Sequence, residues 1–338
     1  MRAVAYTQAG PIDHPQSLLD EEFADPVALG RDLLVEIKAV SVNPVDVKVR
    51  QSAERTGSGW KTLGWDAAGV VRAVGADATA FRVGDEIFYA GSIARPGSNS
   101  ELQLVDERIV SLKPRSLDWA EAAALPLTSI TAWEALFDRL DVLKPVPGAA
   151  NAVLIIGGAG GVGSMAIQLA RQLTDLTVIA TASRSETREW VSGLGAHHVV
   201  DHSLPLAPQI EAFGLGAPAF VFSTTHTDQH LADIAELISP QGRFALIDDP
   251  ATLDALPFKR KSVSLHWELM FTRSLFDTPD IGEQGKLLAE VSRLADAGQL
   301  RTTLTERLSP INAANLKTAH RMVESASMRG KVVLEDWG

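Results

Sequence analysis

Residues 153–164 read V-L-I-I-G-G-A-G-G-V-G-S, an apolar run followed at once by a cluster of glycines. Gly158, Gly160 and Gly163 fit the spacing G-x-G-x-x-G. The chain there must turn tightly after a strand, admit a pyrophosphate to its backbone and pack the next helix close, and side chains obstruct all three tasks. Phosphates then meet N–H groups at the positive end of a helix. A glycine cluster alone also fits a purely structural turn. Its context favours the nucleotide site, because 152–156 is an apolar strand and Val162, Ala166, Leu169, Ala170 and Leu173 follow at helical spacing. Gly158, Ala159, Gly160, Gly161, Val162 and Gly163 are therefore the candidate phosphate cradle.

Working outward, 177–182, 198–200, 219–222 and 243–247 are further short runs, several apolar throughout, as in strands of a parallel sheet covered on both faces. Leu231, Ile234, Ala235 and Ile238 mark another helix between two of them. The region from about 126 to 270 is thus expected to be a doubly wound α/β unit, with K-P-V-P-G at 144–148 as a stiff connector into it. The second strand ends in A-T-A-S-R-S-E-T-R at 180–188. An NAD site usually places an acidic residue there for the ribose 2'-hydroxyl. Here Ser183 takes that place and Arg184 follows, which suits a 2'-phosphate and predicts NADPH; the alternative is that Arg184 and Arg188 are solvated helix-start residues.

Composition narrows the partners. With 46% hydrophobic and 22% charged residues over 338 positions, the chain suits a folded soluble protein of about two domains. Its net charge of −11, with acids and bases interspersed, argues against nucleic acid or an anionic membrane as partner. M-R-A-V-A-Y at the start lacks the apolar core of a signal peptide, so the expected location is cytoplasmic. There is no cysteine, which excludes disulfides, a thiolate nucleophile and cysteine-ligated zinc. Residues 1 to about 125 carry short β-branched or alternating runs at 33–42, 69–74, 87–89 and 102–105, broken by Gly and Pro, as in an antiparallel barrel-like domain. An amphipathic stretch at 287–294 and a β-like run at 331–334 end the chain and are suited to return to that domain.

Several segments together resemble the medium-chain dehydrogenase/reductase superfamily, in its zinc-less quinone oxidoreductase-like branch. They are V-S-V-N-P-V-D-V-K-V-R at 40–50, L-G-W-D-A-A-G-V-V-R-A-V-G at 63–75, F-R-V-G-D-E-I-F at 81–88, L-P-L-T-S-I-T-A-W at 125–133 and R-G-K-V-V-L at 329–334. The resemblance implies an α/β plus β architecture: a GroES-like β-barrel domain with an inserted Rossmann domain, a doubly wound parallel sheet. The expected boundaries are 1–126 for the first part of the GroES-like domain, 127–271 for the Rossmann domain and 272–338 for the return.

The resemblance also bears on metal. Zinc-dependent members carry a cysteine where this chain has Asn43 and Gly-His-Glu where it has Gly64-Trp65-Asp66; their third ligand falls near Leu127. Indole has no lone pair to offer a metal, so no metal site is expected. His226 and His230 stand four apart, as metal ligands on a helix do, but no third ligand lies near in sequence.

Without a Lewis acid, hydride from NADPH is expected to go to an acceptor that already delocalises negative charge, a quinone or an α,β-unsaturated carbonyl. A zinc-type alcohol dehydrogenase, and an NADPH-binding protein with little catalysis, are the competing readings. Asn43 either positions substrate or caps the loop before Pro44. Lys48 stands where related quinone reductases often carry a tyrosine, and is either a proton donor or a surface lysine. Trp65 is a candidate pocket wall, and Tyr89 either an acid or a barrel aromatic. Thr128 and Thr131 are expected in the nicotinamide pocket, with helix capping as the alternative. Ser223 and Ile247 match positions that line the dinucleotide, and Lys331 either reaches a cofactor phosphate or begins the last strand. The segment 262–271 resembles a strand that pairs across a homodimer, with Trp267 or Phe271 overhanging a pocket. Loops 51–60 and 91–99 are expected to shape the substrate pocket.

Overall fold

Runs of β-branched residues broken by Gly and Pro become the strands of the first part of the chain: β1 (Arg2–Tyr6), β2 (Leu19–Glu22), β3 (Asp32–Val42), helix α1 (Pro44–Ser52), β4 (Lys61–Thr62), β5 (Ala67–Val74), β6 (Glu86–Tyr89), β7 (Leu102–Asp106) and β8 (Val110–Leu112). Helices α2 (Trp119–Ala123) and α3 (Pro126–Trp133) follow, and α3 continues as a π-helical turn over Glu134–Arg139. Strands and helices then alternate: β9 (Ala150–Ile156), α4 (Gly161–Leu173), β10 (Thr177–Thr181), α5 (Ser185–Gly193), β11 (His198–Val200), α6 (Leu206–Glu211), β12 (Pro218–Ser223), α7 (Thr227–Leu237), β13 (Arg243–Leu246) and β14 (Ser264–Trp267). The chain ends with α8 (Thr272–Phe276), α9 (Glu283–Asp296), β15 (Leu304–Leu308), α10 (Ala313–Glu324) and β16 (Lys331–Glu335). This is a computed structural model, and it describes residues 1–52 and 59–338.

Two compact units result, one from Met1–Ile130 with Phe271–Gly338 and the other from Thr131–Met270. The first holds a seven-stranded sheet in the order β15-β16-β3-β5-β6-β8, with β7 also on β3, and a small sheet β2-β1-β4. Strand β3 is its hub. Its alternation buries Leu33, Val35, Ile37 and Ala39, and it pairs antiparallel with β5, β7 and β16. The last strand therefore lies beside the third, with Val332 opposite Val42.

The second unit is a six-stranded sheet in the order β11-β10-β9-β12-β13-β14, parallel throughout. Strand order reverses between β9 and β12, the switch point outside which such sheets bind ligands. Leu154, Ile156, Ile179, Val221 and Phe244 are buried because helices cover both faces, which explains their unbroken apolar runs. The segment 144–148 lies inside this unit as the turn before β9, because 126–139 is already helical. Among the described residues no helix is long and apolar enough to cross a membrane.

Gly163 packs α4 against the loop that follows β9. A Cβ built there lies 2.2 Å from the Gly157 carbonyl oxygen and 2.7 Å from Gly158 Cα, so backbone meets backbone with no room for a methyl. Gly163→Ala is expected to push α4 off that loop, destabilising the protein by about 1–3 kcal/mol. A thermal melt of the variant showing no loss of stability would contradict this contact.

Candidate functional site

The glycine loop is held from both sides. Gly157 takes φ +80°, a conformation side chains rarely adopt, immediately after β9 ends. Its N–H donates to Thr181 Oγ1 at 3.0 Å, and the Gly158 N–H donates to the Thr181 carbonyl at 3.2 Å, tying the loop to the end of β10. Gly160 is the N-cap of α4. Buried Ser164 donates to the loop carbonyls of Gly158 and Ala159, each at 3.4 Å, and accepts from Trp190 Nε1 at 2.9 Å. The first N–H groups of α4 have no partner within the helix and carry its positive end. Gly158 to Gly163 thus form a side-chain-poor cradle of the kind a pyrophosphate needs. Gly157 and Thr181 escaped the sequence reading, although a glycine directly after an apolar strand is a recognisable turn signal.

The neighbouring strand ends complete this edge. Ser183 and Arg184 follow β10, and Arg184, half-exposed at the N-cap of α5, lies 3.3 Å from Glu186 Oε1. Arg188 turns inward and donates to the carbonyls of Ala182 (3.1 Å) and Val199 (3.2 Å), which makes it structural. Ser223 ends β12 fully buried; it accepts from Thr227 Oγ1 at 2.8 Å, while the Ile247 N–H donates to its carbonyl at 3.3 Å. Asp248 accepts the Thr227 N–H at 2.9 Å and so caps α7. Sequence reasoning did not find that cap.

In the first unit, a buried charged cluster brings together residues from five segments. Lys331, at the start of β16, donates to the Val42 carbonyl (3.1 Å) and to Asn43 Oδ1, and its Nζ lies 3.3 Å from Asp66 Oδ2. Asn43 Nδ2 donates to Asp66 Oδ2 (3.1 Å) and the Ser41 carbonyl (3.3 Å). Asp66 Oδ1 accepts the Leu127 N–H at 3.1 Å. Asp46 accepts the N–H groups of Asn43 (2.7 Å) and Gly64 (2.9 Å). One ammonium faces two carboxyls in an interior closed to water. Burial pushes Asp46 up to about 7 and Asp66 up to about 6, with Lys331 and the N–H donors opposing in both; burial also draws Lys331 below the ordinary lysine range against the pull of Asp66 and Asp46.

The remaining candidates separate. Trp65 is buried beside the cluster, packed edge-to-face on Phe271 with ring centroids 6.1 Å apart. Tyr89 ends β6 and donates its hydroxyl to Gln103 Oε1 at 2.8 Å; burial drives its phenol above the ordinary tyrosine range, so it is a barrel aromatic and unsuited as an acid. Lys48 lies on the exposed side of α1, outside the cluster. Thr128 is buried and donates to the Leu125 carbonyl at 3.1 Å, and Thr131 is buried three residues on. Lys331 requires a correction: its side chain is 4% exposed and bound within the cluster, so it does not reach a cofactor phosphate, and of its two readings it begins the last strand. Among the described residues no group of three or more His, Cys, Asp or Glu is arranged to hold a metal, and His226 with His230 gains no third ligand. Positions 53–58 of the 51–60 loop lie outside the described residues.

Comparison with known proteins places the chain. Residues 30–114 match the alcohol dehydrogenase GroES-like domain and residues 194–334 match the zinc-binding dehydrogenase family. A zinc-type alcohol dehydrogenase-like protein of Staphylococcus aureus (strain MSSA476) is 40% identical over 313 residues, covering 91% of this chain and 92% of the relative. The chain belongs to the medium-chain dehydrogenase/reductase superfamily. A crystal structure from Rhizobium etli CFN 42, of a protein named as a candidate zinc-dependent alcohol dehydrogenase, is 70% identical with a TM-score of 0.99 over 100% of this chain and 98% of that one. The NADPH-dependent alkenal/one oxidoreductase of Arabidopsis thaliana chloroplasts is 34% identical over 211 residues, 60% of this chain and 53% of the relative. A GroES-like domain, a Rossmann-type sheet and pyridine-nucleotide binding belong to this superfamily, whose members are oxidoreductases.

Zinc is in the names of the Staphylococcus and Rhizobium relatives, yet the residues here do not fit it. Asn43 and Trp65 stand at two of the positions that zinc-dependent members use as ligands, and the third falls near Leu127. The Trp65 indole N–H is buried without a hydrogen-bond partner, and an N–H donor cannot ligate. The Lys331 ammonium already supplies the positive charge between Asn43 and Asp66 and would repel a second cation.

Lys331→Met should destabilise the protein by about 3–5 kcal/mol, because it strands a buried carboxylate; adding Asp66→Asn should restore part of that loss. Both Asp46 and Asp66 keep their protons longer in the folded state than at the ordinary value near 3.9, so what these two groups contribute to stability falls as pH rises from about 4 to 7. Buried His320, held down to about 3, contributes in the opposite sense up to its ordinary value near 6.5. The check is therefore the difference between proteins: denaturant midpoints of Asp46→Asn should gain on those of the parent as pH rises across that range.

Proposed function

We propose that this protein is an NADPH-dependent reductase that delivers hydride to a quinone or an α,β-unsaturated carbonyl without a metal. The observation that carries the reading is the Lys331 ammonium seated between Asn43 and Asp66, where zinc-dependent members of the superfamily polarise an alcohol. The Arabidopsis relative, an alkenal/one oxidoreductase by name, supports the acceptor class. When bound, the reduced nicotinamide supplies the hydride.

This chain's own residues bind and orient. The glycine cradle and the first turn of α4 take the pyrophosphate, Ser223 and Ile247 border it, and Arg184 meets the 2'-phosphate. Thr128 and Thr131 sit on the helix that lines the nicotinamide pocket in the superfamily. An enone or quinone takes hydride at carbon while charge develops on its own oxygen, which then takes a proton. The acceptor therefore performs the charge delocalisation that a Lewis acid performs for an alcohol. Asn43 acts through the charged cluster, since its amide is bonded to Ser41, Asp66 and Lys331. We further propose a homodimer, supported by the edge strand β14 with Trp267 55% exposed, and a cytoplasmic location.

A charge-assisted hydrogen bond is worth about 1.5–3 kcal/mol, roughly ten- to a hundredfold in affinity. Arg184→Ala should therefore weaken NADPH by that factor and leave NADH within twofold, and equal losses for both would remove the 2'-phosphate role. Cofactor oxidation with a panel of quinones, enones and aldehydes, run alongside metal analysis, tests the reaction. Enone or quinone turnover supports the reading. Alcohol oxidation with one zinc per chain overturns it, and tight NADPH binding without turnover makes the protein a binder.

A further inference from the structure

Three imidazoles gather where β10, β11 and β12 end, and the reaction proposed above gives them no role. Strands β10 and β11 pair in register with Thr181 opposite Val200, so Arg184, three residues on, and His202, two residues on, leave the sheet at the same edge. His202 faces His230 of α7, ring centroids 6.4 Å apart at 69°. His226 is the N-cap of α7 at φ +51°. It belongs to the loop whose Thr224 donates its N–H (3.1 Å) and hydroxyl (2.8 Å) to the Ile156 carbonyl and lies directly against Gly157. His226 Nδ1 is bonded to Thr225 Oγ1 at 2.8 Å, which leaves Nε2 as the nitrogen available to a ligand. His202 and His226 are exposed, while His230 is buried behind them.

The charges facing the group come from every neighbouring element. Partial burial, then His226 and Arg184, hold His202 below the ordinary histidine range, with Asp201 opposing. Burial, His202 and His226 lower His230 in the same way, against Asp233 and Asp228. Asp201 accepts from Ser203, Asp233 accepts the Leu206 N–H, Glu186 is paired with Arg184 and Asp248 accepts from Thr227, while Asp228 on the first turn of α7 stays a neighbouring negative charge. Arg188 points at strand carbonyls. The set holds no metal-like constellation among the described residues. What remains is a group of protonatable donors beside the arginine that marks the 2'-phosphate.

We propose that His202 and His226 make the choice between phosphorylated and unphosphorylated nicotinamide nucleotides depend on pH, by joining Arg184 at the ribose 2'-phosphate as imidazolium donors. The inference rests on the reading that Arg184 meets that phosphate. A dianion beside an imidazole favours its charged form, so the pKa rises on binding. Binding of NADPH then takes up protons, and its affinity grows as pH falls through the bound-state value. NADH brings no charge to this position and takes up none.

The test measures NADPH and NADH dissociation constants by fluorescence on the unliganded protein at pH 6.5, 7.5 and 8.5, where the 2'-phosphate stays mainly dianionic. Calorimetry of adenosine 2',5'-bisphosphate, in buffers of different ionisation heat, counts the protons taken up. The expected result is an NADH-to-NADPH ratio of dissociation constants that grows at least about fivefold from pH 8.5 to 6.5, with a measurable net proton uptake on binding of at most about two per site. The double variant His202→Asn with His226→Asn should flatten the profile. A flat ratio in the parent protein, absent proton uptake, or an unchanged slope in the double variant overturns the inference. A large but flat preference that Arg184→Ala abolishes would leave the cofactor reading standing and remove this one, whereas a ratio near one at every pH would remove both.

Discussion

A lysine ammonium buried against two carboxyls organises the first unit. An unpaired charge in such an interior costs several kcal/mol, so each partner of Lys331 has to stand where it does. Those partners come from separate segments: Val42 and Asn43 at the end of β3, Asp46 in α1, Asp66 before β5, with the Leu127 N–H of α3 steadying Asp66. The cluster therefore acts as a cross-link of strands and helices as well as a charge balance. Strand β16 is its keystone, because its pairing with β3 carries the lysine in.

The same cluster stands at the positions where zinc-dependent members of the superfamily carry thiolate and imidazole ligands. Buried acids and polar atoms at such a place need a counter-charge. In this chain the ammonium provides that counter-charge, Asn43 bridges it to Asp66, and Trp65 fills the remaining volume against Phe271. The glycine loop takes no part in this cluster, because Gly157 to Gly163 are held by Thr181, Ser164 and Thr224, all within the second unit.

Local patterns were legible and long-range partnerships were not. The apolar runs at 152–156 and 219–222 named strands, and the glycine spacing named the turn, because each depends on neighbours in sequence. The absence of cysteine, with Trp65 in place of a histidine, announced the poor fit to zinc. Lys331 was misread, since R-G-K-V-V-L shows a cation at a strand start and conceals a partner 288 positions away. Tyr89 was ambiguous for the same reason: only the fold shows Gln103 across from its hydroxyl. The expected boundaries at 126/127 and 271/272 stand a few residues from the divisions at Ile130/Thr131 and Met270/Phe271, and a helix runs through the first of them.

The pairing of β16 with β3 also has a bearing on the order of assembly. Residues 131–270 form a contiguous unit whose strands find partners within that stretch, whereas the first unit closes only when a strand that begins at Lys331 docks beside one that begins at Asp32. Contacts so distant in sequence form slowly, because a long loop must close before they repay its entropy. On a ribosome, domains fold as units while synthesis proceeds. The inserted nucleotide-binding unit is complete while the unit that begins the chain still waits for its last strand, so the first part to be synthesised is the last to finish folding.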